Sequence, residues 1–311
     1  MRLPSHMSLA VVALTALLTG ACGTQTSSAG SSPHPPDRES AALASSSLAA
    51  ASAPKVTKLL VFVEENHSLS QMKRGMPYTF GLAKKYGYAT NYVAMTHPSL
   101  PNYIAIASGR TYGIHDDRDP SAHRLSGRSV FGQALAKHRS AATYAQSMPR
   151  TCATTPSGPY GVKHNPWAYF VDERRGCRAH DLPMTQFGGD VSAGRLPRVG
   201  MVIPDLNHDA HDGTLKSADA WFKSAMSKVF AGRDWRSGHL AVVLTADEDD
   251  RAHGNRVLTV VIHRSQRHHV VTQRLNHYSL TRLYDEAAGL PYLHGARTAT
   301  SMARAFGLPV G

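Results

Sequence analysis

The sequence predicts an α/β fold with a mainly parallel central sheet and helices on both faces. Short, continuous apolar runs alternate along the chain with segments of helical spacing. This alternation favours parallel pairing, because each intervening helix returns the chain to the same end of the sheet. Polar residues follow three of the predicted strands directly, and in such sheets ligands bind beyond the carboxyl ends of the strands.

The spacing of apolar residues predicts the individual strands and helices. Residues 59–63, Leu-Leu-Val-Phe-Val, are apolar at every position, as expected for a strand that is buried on both faces. The predicted strands are 58–63, 88–94, 141–146, 198–203, 240–245 and 256–262, and the predicted helices are 129–139, 214–230 and 278–288.

The N-terminal 54 residues are predicted to serve for targeting and tethering and not to form part of the folded domain. A basic start, the apolar run 9–18 and small residues before Cys22 predict a secretory signal peptide over residues 1–21. Cys22 follows Leu-Thr-Gly-Ala, which resembles a bacterial lipobox, so we expect Cys22 to be lipidated; the alternative is an ordinary signal peptide with an incidental cysteine. Residues 22–54, rich in Ser, Ala and Pro, predict a flexible tether. The chain is therefore expected to be a membrane lipoprotein facing the extracytoplasmic side, or secreted.

Two further cysteines remain, Cys152 and Cys177. In an exported chain two remaining thiols most simply form a disulfide, although two free thiols are the alternative. Neither cysteine belongs to a closely spaced pair, which disfavours a zinc site there.

The charge balance favours an anionic ligand. Lys and Arg outnumber Asp and Glu by 34 to 22, which gives a net charge of +12. No stripe of basic residues with interleaved aromatic residues appears, so nucleic acid is not expected as a partner.

Three polar clusters follow predicted strands, at 64–67, 205–212 and 247–250. Each cluster alone could be a capped helix start or a solvated turn. Together they would crowd many carboxylates at one sheet edge, and a bound cation would relieve their repulsion.

Hard oxygen donors in these clusters favour a divalent cation such as Mg²⁺, Ca²⁺ or Mn²⁺. The candidate ligands are Glu65, Asn66, Asp247 and Glu248. The His-rich segment 205–212 could hold a second, softer metal such as Zn²⁺, or it could supply protonated imidazoles beside an anion.

Ser99 is the candidate nucleophile. It lies in Thr-His-Pro-Ser-Leu-Pro-Asn-Tyr, residues 96–103, directly before the apolar run 104–107 that predicts a buried helix. A serine near a helix N-terminus meets free N–H groups and a dipole that stabilise an anion. The alternative is an ordinary N-cap serine.

These segments, in this order, resemble the phosphoesterase family of bacterial acid phosphatases and non-specific phospholipases C, within the alkaline-phosphatase superfamily. The segments are 64–68, 96–103, 205–212, 245–248 with 255–257, 277–280 and 289–291, and the resemblance spans roughly residues 56–293. Ser99-Leu-Pro-Asn102 is also similar to the Thr-Phe-Pro-Asn nucleophile turn of nucleotide pyrophosphatases, which supports Ser99 over Thr96.

The resemblance implies an alkaline-phosphatase-like fold and a single phosphoesterase catalytic domain over residues 55–311. It implies a metal held by the four candidate ligands and bridged to Ser99, with Asn102 touching a phosphoryl oxygen. His208 and His211 match a histidine-rich surface that replaces part of the two-metal site of the superfamily. The further candidates that it suggests are Asp205, Asp209, His164 and His277.

The predicted activity is metal-dependent hydrolysis of a phosphate ester through a phosphoserine formed on Ser99, with His208 or His211 assisting the leaving oxygen. A phospholipase C or other phosphodiesterase is the alternative, less expected because the larger phospholipases carry additional C-terminal domains and this sequence ends at Gly311. A sulfatase is disfavoured, because Tyr103 stands where the sulfatase pattern has Arg. A ligand-binding lipoprotein without turnover is the non-enzyme alternative. Substrate preference is expected to depend on segments 110–128 and 150–195.

Overall fold

An eight-stranded sheet forms the centre of the computed structural model, which describes residues 54–311. The strands are β1 Lys58–Glu64, β2 Gly87–Val93, β3 Ala141–Ala145, β4 Asp181–Pro183, β5 Val199–Ile203, β6 Leu240–Ala246, β7 Arg256–Ile262 and β8 His269–Val271. Their order across the sheet is β4-β3-β5-β1-β6-β7-β2-β8. Only β7, among the described strands, runs antiparallel to its neighbours, so the mainly parallel sheet is confirmed.

Strand β1 lies in the middle of this sheet, between β5 and β6. Leu60 pairs in register with Gly200 on one side and with Val242 on the other. All five apolar residues of the run 59–63 are at most 1% exposed. The continuous apolar run is thus explained by helices that cover the sheet.

Helices surround the sheet and are joined by short 3₁₀ turns. The helices are α1 Leu69–Gly75, α2 Pro77–Lys85, α3 Ser99–Ser108, α4 Val130–Ala136, α5 Arg174–His180, α6 Phe187–Ala193, α7 Leu215–Ala231, α8 Arg233–Arg236, α9 His277–Ala288 and α10 Met302–Phe306. The 3₁₀ turns are Val162–His164, Pro166–Tyr169, Val171–Glu173, Met184–Gln186 and His294–Arg297. No helix within residues 54–311 combines the length and the apolar character that a membrane span needs.

The predicted elements agree closely with the structure, with one exception among the helices. All six predicted strands and the helices α7 and α9 match to within one residue at each end. The helix predicted to reach residue 139 ends at Ala136, because Lys137 caps it and His138 adopts a left-handed backbone with φ 55°.

Helix α3 is buried along its whole length, which is unusual for a helix that carries polar residues at its start. Every residue from Ser99 to Ser108 is buried. Helix α9 packs against it, and the Thr281 hydroxyl donates to the Ala105 carbonyl at 2.8 Å. Helix α3 is thereby fixed against α9 through its second half.

Cys152 and Cys177 form the predicted disulfide, with their Cα atoms 5.3 Å apart. It ties the irregular segment after β3 to helix α5. The signal peptide, the lipidated Cys22 and the tether predicted for residues 22–54 lie outside the described residues except for Pro54, so they stay predictions.

Candidate active site

The three polar clusters meet at the carboxyl edge of the central strands. Glu64 ends β1, and its carbonyl accepts a hydrogen bond from the Asp247 amide, which directly follows β6, at 3.0 Å. The Glu65 amide in turn donates to the Asp209 carbonyl at 2.7 Å. Parallel pairing of β1 with both β5 and β6 brings these backbones together, since it aligns the strand ends.

Ser99 is the first residue of α3, and its hydroxyl is directed at this edge. Its Oγ donates to Glu65 Oε2 at 3.0 Å, and the residue is 2% exposed. The N-cap position belongs to Pro98, which makes no side-chain cap bond. The side chain of Ser99 is therefore not occupied in capping the helix and is free to take part in chemistry.

Asn102 stabilises the turn that carries Ser99 by hydrogen bonds. Its Oδ1 accepts from the amides of Met95 and Thr96, both at 3.1 Å. Its Nδ2 donates to the Thr96 carbonyl at 2.8 Å and to Glu248 Oε2 at 3.0 Å. These bonds support a positioning role for Asn102, and its expected contact with a phosphoryl oxygen stays a prediction.

Glu65 is held on both carboxylate oxygens. While Oε2 accepts from Ser99, Oε1 accepts from the Tyr103 hydroxyl at 2.5 Å and lies 3.3 Å from His164 Nε2. Burial acts to raise the pKa of Glu65, but the charge of His164 and the hydrogen bonds from His164 and Tyr103 outweigh it and lower that pKa. Glu65 is therefore an anion that faces the Ser99 hydroxyl.

His164 lies between two buried carboxylates and stacks on Tyr103, with ring centroids 5.0 Å apart. Its Nε2 faces Glu65, and its Nδ1 lies 3.1 Å from Asp209 Oδ2. Burial acts to lower the pKa of His164, but the two carboxylates outweigh it and raise that pKa to about 10. Although ligand atoms of Glu65, His164 and Asp209 lie within 4.8 Å of one another, opposite ring nitrogens face the two carboxylates. This arrangement suits an ion-paired imidazolium better than a ligand of one metal.

Asp247 and Asn66 provide buried oxygens without a hydrogen-bond partner. Asp247 Oδ1 accepts from the amides of Asn66 at 3.3 Å and Glu248 at 2.7 Å, whereas Asp247 Oδ2 and Asn66 Oδ1 have no partner. Burial, with repulsion from Glu65 and Glu248, raises the pKa of Asp247 well above its usual value. Burial likewise raises the pKa of Glu248. Orphaned, crowded oxygens of this kind fit a divalent cation that prefers oxygen ligands.

A cleft of about 330 Å³ opens onto Ser99, and cations lie along its wall. Lys163 and His211 both line it, and Lys163 Nζ donates to His211 Nε2 at 3.1 Å and to Asp117 Oδ2 at 3.1 Å. Burial acts to lower the pKa of Lys163, but the charges of Glu65 and Asp117 outweigh it and raise that pKa, so the side chain stays cationic. The cleft therefore combines the Ser99 hydroxyl with the cations Lys163 and Arg251 and with four carboxylates, those of Asp117, Glu248, Asp249 and Asp250.

His208 and Asp205 form a separate pair, and neither lines this cleft within the described part of the chain. His208 Nδ1 lies 2.7 Å from Asp205 Oδ1 and 3.1 Å from Gln146 Nε2. Of the two histidines predicted to assist the reaction, only His211 lines the cleft that contains Ser99, within the described residues.

His277 contacts the site through the backbone of Asp247. Its Nε2 donates to the Asp247 carbonyl at 2.6 Å, and its Nδ1 accepts from the Tyr92 hydroxyl at 3.0 Å. Burial lowers the pKa of His277 to about 4, so the ring is neutral and orients Asp247.

Sequence reasoning missed several residues that the structure places at the site. They are Asp117, Lys163 and His97, whose Nδ1 lies 3.0 Å from Glu248 Oε1. The only sequence signal for Lys163 was its position directly before the candidate His164. Asp117 lies in an irregular segment that follows no strand, so the sequence pattern did not indicate it.

Comparison with solved structures defines the class of fold. A Vibrio parahaemolyticus protein in the alkaline phosphatase superfamily superposes with a TM-score of 0.55 at 10% identity, covering 79% of this chain and 70% of that chain. The lipoteichoic acid synthase LtaP from Listeria monocytogenes superposes with a TM-score of 0.53 at 9% identity, covering 79% and 75%. The chain therefore shares its fold with these two proteins.

The sequence comparisons then identify the family. The sequence model of the Phosphoesterase family matches residues 61–291, and the chain belongs to this family. A phosphatidylinositol-3-phosphatase of Mycobacterium tuberculosis is 28% identical over 248 residues, which cover 78% of this chain and 81% of that protein. A phosphate-repressible acid phosphatase of Penicillium chrysogenum is 31% identical over 228 residues; the match covers 68% of this chain but only 54% of that protein. The family resemblance predicted from the motifs is confirmed, and the chain is a hydrolase acting on phosphoric ester bonds.

Proposed function

We propose that this protein is an exported, metal-dependent phosphatase that hydrolyses phosphate monoesters through a phosphoserine on Ser99. The observation that carries the proposal is the Ser99 hydroxyl, which donates to Glu65 at the N-terminus of α3 beside orphaned carboxylate and amide oxygens. The matched relatives named above are both phosphatases, which favours monoesters over diesters.

We propose that Glu65, Asn66, Asp247 and Glu248 would hold a divalent cation near the Ser99 oxygen; the orphaned Asp247 Oδ2 and Asn66 Oδ1 support this set. When bound there, the cation would supply Lewis-acid activation of the serine oxygen and of a phosphoryl oxygen. The oxygen-only donor set favours Mg²⁺, Ca²⁺ or Mn²⁺ over Zn²⁺.

The protein's own groups then account for the two chemical steps. Ser99 Oγ attacks phosphorus as its proton passes toward Glu65 Oε2, and the bond to the leaving oxygen breaks. Lys163 and His211 stabilise the charge on the phosphoryl group, and a proton from this pair neutralises the leaving oxygen. Water then attacks the phosphoserine and gives one proton back to the Lys163–His211 pair, the bond from phosphorus to Ser99 Oγ breaks, and the proton held on Glu65 returns to Ser99 Oγ, which releases phosphate and restores the hydroxyl.

Replacing Ser99 by Ala tests the proposal. We expect Ser99→Ala to lower kcat/KM for 1-naphthyl phosphate at least about 10³-fold, because the nucleophile is removed. Thr96→Ala is the matched control, since that hydroxyl donates only to the neighbouring His97 carbonyl; it should stay within about threefold of wild type. Acid-quenched wild-type protein should carry phosphate on Ser99 by mass spectrometry. Near-wild-type turnover by Ser99→Ala would contradict the mechanism.

Export and anchoring rest on the sequence pattern around Cys22. The disulfide supports export, because disulfides persist in oxidising compartments. Fractionation of cells that express the full chain, compared with a Cys22→Ala variant, tests the anchor: the variant should leave the membrane fraction.

A further inference from the structure

A second cavity, of about 520 Å³, opens beside the cleft, and we call it the side cavity. Its lining is mainly apolar. Tyr160 and Val162 are buried and Leu206 is half-buried, whereas Ala122 and Pro156 are exposed at the mouth. Tyr160 is only 1% exposed and its hydroxyl donates to the Ala153 carbonyl at 3.0 Å, so it adds no free polar group to the lining.

The side cavity shares a wall with the cleft, formed by Asp117 and Lys163. Asp117 Oδ1 accepts from the Leu100 amide at 2.9 Å, one residue from Ser99. Lys163 directly precedes His164, whose Nε2 lies 3.3 Å from Glu65. Asp117 thus contacts the residue that follows Ser99, and Lys163 precedes a residue that lies against Glu65, so the shared wall lies next to Ser99.

We propose that the side cavity is the subsite for the alcohol part of the substrate, and that it selects phosphate esters of aromatic or otherwise largely apolar alcohols. This inference rests on the function proposed above. In an in-line displacement the nucleophile and the leaving oxygen lie on opposite sides of phosphorus, so the alcohol must extend away from Ser99 into neighbouring space.

The chemistry of the wall and lining favours this occupant over a second charged group. The shared wall already pairs the Asp117 carboxylate with the Lys163 ammonium at 3.1 Å, so it favours neither a second anion nor a second cation, whereas the lining gains from excluding water when an apolar group enters. Esters of small hydrated alcohols, such as glycerol, offer the side cavity little apolar surface.

Ala122→Trp tests the inference by filling the mouth of the side cavity without touching Ser99. The matched control is Ala252→Trp, an exposed alanine on the segment whose Asp250 and Arg251 line the cleft instead. We expect Ala122→Trp to lower kcat/KM for 1-naphthyl phosphate about tenfold or more, with glycerol 2-phosphate changed less than about twofold. Ala252→Trp should change the ratio of the two values less than about twofold.

Inhibition by two non-hydrolysable analogues measures binding alone. Benzylphosphonate should inhibit the wild-type protein about tenfold more tightly than methylphosphonate, and Ala122→Trp should abolish the difference. Equal affinity of the two phosphonates for wild type, or an equal loss of both esters in Ala122→Trp, overturns the inference. Failure of the proposed function would look different: neither ester would be hydrolysed by wild type, while the phosphonates would still report on the side cavity.

Discussion

Asp247 depends on a neutral histidine for its orientation. The Nε2–H of His277 fixes the Asp247 carbonyl, and the Tyr92 hydroxyl fixes the opposite ring nitrogen. Because burial lowers the pKa of His277 to about 4, this donor stays in one tautomer throughout the neutral range. A group that touches no substrate therefore controls where a proposed metal ligand sits.

Replacing His277 tests this dependence. We expect His277→Leu to lower kcat/KM about 10- to 100-fold with weaker binding of the metal, because the hydrogen bond to Asp247 is lost. His277→Gln, whose amide can donate from a similar position, should recover most of the loss. Metal titrations and steady-state kinetics on both variants test this prediction. Equal impairment of the two variants would indicate that His277 has only a structural role.

Helix α9 carries a second buried titratable group, Asp285, away from the site. Its Oδ1 accepts from Gln133 Nε2 in helix α4 and its Oδ2 from the Leu293 amide, both at 3.0 Å. Burial raises the pKa of Asp285 to about 7. A raised carboxyl pKa stabilises the folded state fully below the unfolded pKa, near 4, and the effect is lost as the pH rises through 7.

Asp285→Asn should reveal that pH dependence. The free energy of unfolding of the variant minus that of wild type should rise by about 2–4 kcal/mol between pH 4 and pH 8, because only wild type must ionise a buried group. Urea unfolding at several pH values measures this difference, in which the titration of other groups largely cancels. A difference that is independent of pH would show that Asp285 does not titrate in this range.

Crowded buried carboxylates at the candidate site link metal binding to the stability of the whole molecule. In the absence of a cation, Glu65, Asp247 and Glu248 repel one another at the end of the central strands. Any ion that binds only the folded state stabilises it by mass action, by about 2.7 kcal/mol at one hundred times its Kd.

We therefore expect a divalent cation to raise the Tm of chelator-treated protein by about 5–10 °C. Asp247→Asn should lose most of this shift, yet be at least as stable as wild type without metal, because one repelling charge is removed and Oδ1 still accepts its two amides. Asp190→Asn, in helix α6, should keep the full shift. Elemental analysis and thermal scans of the three proteins check the prediction; an undiminished shift in Asp247→Asn would exclude that carboxylate as a ligand.

The central strands, the helix start that carries Ser99 and the acidic clusters could be predicted from the sequence because their signals are local. Apolar runs mark buried strands, and polar residues stand directly after them. The apolar run of β7 does not reveal that this strand is antiparallel. The three-residue strands β4 and β8 are too short to show a hydrophobic periodicity. Lys163 and Asp117 were missed for another reason: a short 3₁₀ turn and an irregular segment carry them, and tertiary packing alone brings both to the cleft that contains Ser99.

The antiparallel direction of β7 affects how precisely Asp247 and Glu248 are positioned. Because β6 and β7 run antiparallel, the chain leaves the sheet at Asp247 and re-enters it nine residues later without a crossover helix. Within this hairpin, the Asp249 carboxylate accepts from the amides of Arg251, His253 and Asn255 at 2.8–2.9 Å. Asp247 and Glu248 are thus preorganised on a clamped hairpin, and little entropy remains to be lost when a ligand arrives.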